Sequence, residues 1–223
     1  LYTKIRTENL IHYFNESSQD IDHVLDVFIR TNSGGTKLEF SDLLMSIAVA
    51  HWQGDFRREL DELTKNIYQN NEMGFYIERD WFLKTSLMLI DSDVRFKVKN
   101  FTSEEVGKIQ QQWSEIKSCI KETFILIRRF GINPQSLISK NAVIPVVYWL
   151  YKKQTSGHPL YTTINLLNKN HNERSVISQW FYMVLLKGIF GSQADALLTS
   201  IRDVMNNSLS DIHFPLEKII DRY

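Results

Sequence analysis

Cysteine is almost absent from this chain of 223 residues, and Cys119 is the only one. A single thiol excludes an internal disulfide and a multi-cysteine metal cage. That usage fits a reducing compartment, so a cytoplasmic location is expected. Cys119 lies on the stripe Trp113, Ile116, Cys119, Ile120, which predicts a packed core thiol rather than a reactive one. Long apolar runs are lacking too. The longest, Ala142 to Leu150 and Trp180 to Leu186, fall well short of the roughly 20 residues that a membrane span needs, so no membrane partner is expected. No apolar stretch follows a basic start, and nothing reads as a signal peptide. The chain opens on Leu1 rather than Met, from which we expect an excised fragment or a processed product. Repeats, low-complexity tracts and Pro/Gly/Ser-rich linkers are missing as well, and the expectation is one helical domain over residues 1–223.

Net charge is also absent, with 26 basic residues against 26 acidic ones, but the balance is uneven along the chain. Residues 1–62 hold 6 bases against 11 acids, while residues 79–190 hold 16 against 8. A basic middle can face phosphate, although bases spread over solvated helix faces give the same count. Arg128-Arg129 and Lys152-Lys153 are its best candidate contacts to a DNA backbone. Six histidines (His12, His23, His51, His158, His171 and His213) lack metal-ligand spacing, and no His-Glu-x-x-His or Walker A run exists. No metal site is expected. Asn168 to Asn172 has residue types seen in nuclease sites but no paired upstream histidine.

What the sequence does contain is helical periodicity. Asp20 can cap a helix bearing Ile21, Val24, Leu25 and Phe28, closed by Asn32-Ser33-Gly34-Gly35. Ser41 is read as the cap of the next helix and Asp55 as the start of a third, with Phe56, Leu60, Leu63 and Ile67 on one face. Residues 70–77 read as a loop with room for a short strand at Phe75 to Ile77, and 93–101, where Val94, Phe96 and Val98 alternate with bases, read as a short strand or a basic extended connector. Thr102 and Glu105 form a capping box ahead of one long helix reaching about Phe130. Further helices are read over about Asn141 to Lys152, with Pro145 in the first turn, over Glu173 to Lys187, and from Ser192 and Asp195 through Met205. A segment at Pro159 to Asn168 is apolar on one side, and a terminal turn holds Leu216, Ile219 and Ile220. The aromatic runs Tyr148-Trp149-Tyr151 and Trp180-Phe181-Tyr182 are read as core. The predicted fold class is all-α, an irregular multi-helix bundle with at most a short strand or hairpin near residues 75–99.

The run Val27 to Leu38, with Asp42-Leu43-Leu44 after it, is the most informative stretch. It resembles the Phe-x-Arg-Ile-Asn-x-x-Gly-x-x-Leu signature of the N-terminal domains of GmrSD-type restriction endonucleases, the ParB-like domains of bacterial phage-defence proteins. Phe28, Arg30, Asn32, Gly35 and Leu38 match, and Thr31 stands where the family has isoleucine. The motif lies within residues 1–60; Trp81 to Lys84 and Trp180 to Ser192 are more loosely similar to the helical part of that family. The family's Asp-Gly-Gln-Gln-Arg motif and its HNH-type nuclease region are not in these 223 residues. The resemblance therefore implies the helical portion that follows a nucleotide-binding core, with no catalytic residue and no cofactor of its own. For the full-length protein it implies a nucleoside triphosphate, a divalent metal, and NTPase or nuclease activity. The partners it implies are the upstream ParB-like core and, through the basic middle, DNA.

The motif's chemistry can also be read from its residues. Asn32 tolerates the left-handed region, Ser33-Gly34-Gly35 exposes consecutive N–H groups, and Arg30 offers a planar fork to phosphate or carboxylate. Two readings stay open: Arg30, Asn32, Gly34 and Gly35 face a nucleotide or the upstream core, or they lock a helix connector. Function is open in the same way. The chain is a scaffold region of a nucleotide-dependent restriction protein, or a helical protein–protein interaction or regulatory module with no nucleic-acid role.

Overall fold

The computed structural model describes residues 40–70, 73–95, 101–158, 161, 171–191 and 193–222, with residues 15, 17, 18, 23, 24 and 27. The chain divides into two compact units, Leu1–Phe40 and Ser41–Tyr223, and the account below concerns the second. Among the described residues 69% are helical and none is in a strand, so the fold is all-α. The motif residues Arg30, Asn32, Gly34 and Gly35 and the segment 162–168 lie outside the described residues; of the helix expected after Asp20, His23, Val24 and Val27 are described and helical.

Among the described residues from Phe40 on there are nine α-helices: α1 (Phe40–His51), α2 (Phe56–Gln69), α3 (Arg79–Leu89), α4 (Ser103–Gln111), α5 (Trp113–Arg129), α6 (Val143–Thr155), α7 (Asn172–Lys187), α8 (Ala194–Asn207) and α9 (Leu216–Ile220). A 3₁₀ turn, Lys140–Ala142, leads into α6. Helix α6 is the axis of the unit. Every residue from Val143 to Tyr151 is buried, and a helix that is apolar all round must be enclosed by others. Helices α5, α3 and α8 pack on it. Fully burying side chains such as Trp149, Trp180, Phe82 and Phe124 stabilises the fold by about 1.5–3 kcal/mol each. Pro145 sits in the first turn of α6, where no intrahelical partner for its missing N–H is needed.

Local chemistry sets several boundaries. The Asp55 carboxylate accepts the Arg58 N–H at 3.0 Å and starts α2. Thr102 and Glu105 complete the capping box of α4, each accepting the other's backbone N–H at 3.3 Å. Gly188, at φ 61°, closes α7 in the left-handed region. Three expectations are corrected. Helix α1 begins at Phe40, which places Ser41 inside the first turn rather than at the cap. The segment Phe75 to Ile77 is irregular chain, not a strand, with Phe75 and Ile77 buried and Tyr76 exposed. Asp93 and Val94 are irregular too, and the rest of the expected alternation, 96–100, lies outside the described residues.

The long helix expected from Thr102 to Phe130 breaks at Gln112, whose φ −104°, ψ 9° leave the helical well. Packing on either side accounts for the break. The Gln110 amide exchanges two hydrogen bonds with the backbone of Gln53, at 3.0 and 2.7 Å. One turn later Trp113 enters the cluster of Trp52 and Phe56, with ring centroids 5.5 Å from each. Its indole N–H donates to Glu59, which also holds Lys117 at 2.8 Å. A straight helix directs both residues less well, and the kink seats both.

Candidate functional site

The basic middle was the natural place to look for a phosphate-binding surface. The structure places most of its described bases in ion pairs: Arg79 with Asp61, Lys84 with Asp195, Arg95 with Asp93, Lys108 with Glu104, Lys117 with Glu59, Lys140 with Glu78, and Lys152 with Asp91. Asp61, Asp195, Glu59 and Glu78 come from segments outside 79–190, so folding offsets part of the local excess of positive charge. A groove between the start of α3 and the loop 137–141 is lined by Glu78, Trp81, Lys84, Leu137 and Lys140, and both its lysines belong to these pairs.

The four candidate backbone contacts do not form one surface. Arg128 and Arg129 are exposed at the end of α5, where Arg128 makes one long bond, 3.5 Å, to the Ile132 carbonyl. The Arg129 carbonyl accepts from the buried Arg174 at 2.7 Å, a favourable use of a cation at a helix C-terminus. Lys152 reaches the Asp91 carboxylate at 2.6 Å and lies over the Tyr148 ring. Lys153 points the other way: it is only 2% exposed, its ammonium 4.6 Å from the Trp149 ring centroid. That ammonium donates to the Leu209 carbonyl at 2.8 Å and to the Asp211 carbonyl, so its charge is used inside the protein.

Two polar clusters that the sequence did not single out are better organised. The first centres on Asp91, the non-glycine residue with positive φ, 61°. Its N–H donates to Met88 and the Ser92 N–H to Leu87, at 3.1 and 2.9 Å, which ends α3 as a Schellman motif with aspartate where glycine is usual. The Asp91 carboxylate accepts from Tyr148 at 2.7 Å, Asn206 at 3.2 Å and Lys152, joining α3, α6 and α8. Partial burial raises the carboxyl's pKa, but bonds from Lys152 and Tyr148 outweigh it and hold the group below its ordinary value. Burial and the adjacent Asp91 push the Tyr148 hydroxyl well above its ordinary value.

The second cluster centres on Glu173, 1% exposed in the first turn of α7. Its carboxylate accepts from the Tyr161 hydroxyl at 2.6 Å and the Phe214 N–H at 3.0 Å, and meets His213 Nδ1. The Tyr161 hydroxyl also lies 3.0 Å from the Ile212 carbonyl. Burial raises the Tyr161 pKa, and Glu173 adds to the effect. Burial lowers the pKa of Lys153, against the attraction of Asp211 and Glu173. Both clusters are closed on themselves: their charges meet partners from this chain.

Cys119 is buried as expected, with its thiol pushed far up by desolvation. Tyr148, Trp149 and Trp180 are wholly buried and Tyr151 nearly so, while Tyr182 is 40% exposed. Among the described residues no group of three or more His, Cys, Asp or Glu is placed to hold a metal ion. No described helix is long and apolar enough to cross a membrane. No family model matches the chain, and no curated protein matches it.

Proposed function

We propose that this chain is the helical scaffold region of a bacterial, nucleotide-dependent DNA-restriction protein of the GmrSD type, adjoining that protein's ParB-like nucleotide-binding core. The observation that carries the reading is the signature Phe28, Arg30, Asn32, Gly35 and Leu38 with Asp42-Leu43-Leu44 close behind it. Its supporting counterpart in the fold is α1, which begins two residues after Leu38 and buries Leu44 completely. In this reading Arg30 and Asn32 face the nucleotide or the core, and Gly34 and Gly35 shape the turn. Triphosphate and divalent metal belong to the full-length protein rather than to these residues.

The ion-paired surface favours the second reading on one point, contact with nucleic acid. With Lys152 and Lys153 engaged internally, Arg128 and Arg129 remain as the exposed pair for a phosphate backbone. DNA binding by this chain is accordingly weak, salt-sensitive and independent of sequence. The test compares the isolated chain with the full-length protein for GTP and ATP hydrolysis and for metal-dependent nicking. The proposal expects turnover from the full-length protein and none from the chain. Turnover that survives repurification of the chain alone, or none from the full-length protein, overturns it.

A further inference from the structure

The segment 208–222 is held in an unusual way. Its main chain, more than its side chains, is what the rest of the unit grips. Lys153 of α6 takes the Leu209 and Asp211 carbonyls. Tyr161 lies on the Ile212 carbonyl, and Glu173 of α7 takes the Phe214 N–H. The side chains that complete the anchorage are Phe214, 5.8 Å from Trp149 and 5.5 Å from Trp180 between ring centroids, Ile219, which is fully buried, and His213 on Glu173. Ser208 and Pro215 are buried as well and α9 packs on α8 and α7, while Ile212 is 54% exposed and the Lys218–Asp211 pair is half-exposed on both sides.

We propose that 208–222 is a detachable strap, undocking as one unit from α6, α7 and α8 while the body of the fold stays intact. Its anchorage is concentrated in two buried charges of opposite sign, on different helices, that grip Leu209 and Asp211 on one side and His213 and Phe214 on the other. Losing the grip of one removes the geometry that the other needs, and a buried charge without its partners is costly. The strap therefore leaves as a whole rather than fraying residue by residue. Because the grip is on main-chain atoms, α6 and α7 fix where the strap lies, and Phe214 fixes its register. Undocking uncovers the aromatic trough formed by Trp149, Tyr161 and Trp180.

Hydrogen exchange read by mass spectrometry on the whole chain tests this. In the wild type, amides of 209–222 exchange through a common opening and faster than those of α5 and α6. In Glu173→Gln, strap exchange accelerates by roughly tenfold or more while α5 and α6 keep their rates. Phe214→Ala, which keeps both charges, gives the same segregated effect and decides the question if Glu173→Gln does not fold. Strap amides as protected as those of α5 and α6 in the wild type overturn the proposal. So does acceleration of every region alike in the variants.

Discussion

The Asp91 and Glu173 clusters use similar chemistry, a carboxylate beside a tyrosine and near a lysine, at different depths and for different partners. Asp91 is half-exposed and binds side chains from α6 and α8, so its bonds tie three helices of the body together. Glu173 is wholly buried and binds the main chain of a terminal strap. The contrast teaches that the depth of a charge sets how much its loss costs, while the elements it joins set where that loss is felt. Removing Asp91 weakens the whole unit, whereas removing Glu173 weakens one segment.

The largest expected effect breaks the clasp. Glu173→Ala leaves the Phe214 N–H buried without an acceptor and the Tyr161 hydroxyl with the Ile212 carbonyl alone, so strap docking loses about 1–3 kcal/mol. Exchange of the strap amides measures it, and urea unfolding of the body should change much less. A smaller effect separates two parts of the Asp91 node. Asp91→Ala loses the carboxylate bonds and keeps a left-handed backbone, while Asp91→Gly loses the same bonds but relieves the strain. Alanine should therefore be less stable than glycine by about 1 kcal/mol in urea melts. Equal stability of the two variants would mean that φ 61° carries no strain here.

Acid sharpens the same comparison. The folded pKa of Asp91 is depressed, so its contribution is present above the unfolded value of about 4 and is lost as pH falls through the folded value. Because the group is half-exposed, the loss is modest. Wild type should lose more stability between about pH 5 and pH 2 than Asp91→Asn does, and parallel curves would remove Asp91 from the pH dependence. The smallest effect is expected at Arg128 and Arg129. Replacing both with Ala should weaken an already weak gel shift less than about tenfold and leave the fold unchanged. Tight binding that persists at high salt contradicts the ion-paired picture of the surface.

Much of the fold was legible in sequence because it is local. The Thr102–Glu105 box, the Asp55 cap and the apolar stripe of α5 are spaced within a few residues, and the structure keeps them. The break at Gln112 was not legible, since Ile109 and Trp113 fit one unbroken stripe and the kink depends on Gln53 and Trp52 far back in the chain. Lys153 read as a second surface base beside Lys152 because its carbonyl partners lie more than fifty residues away. Glu173 read only as the start of a helix, because His213 and Phe214 are distant in sequence. Asp91 did leave a signal, as aspartate tolerates the left-handed region better than most residues, but ordinary helix-end rules point to glycine. The motif at Arg30 to Gly35 is the reverse case: readable as a pattern of residue types, and outside the described residues.

The most direct test of the functional reading is therefore made at Arg30. Nucleotide hydrolysis by the full-length protein should be compared for wild type and Arg30→Ala at a temperature where both are folded, together with the melting temperature of this chain carrying the same change. If Arg30 faces the nucleotide or the core, hydrolysis is abolished and the chain melts as the wild type does. Equal hydrolysis by the two proteins, with a lowered melting temperature for the chain, would show that Arg30 only locks the connector and would contradict the account.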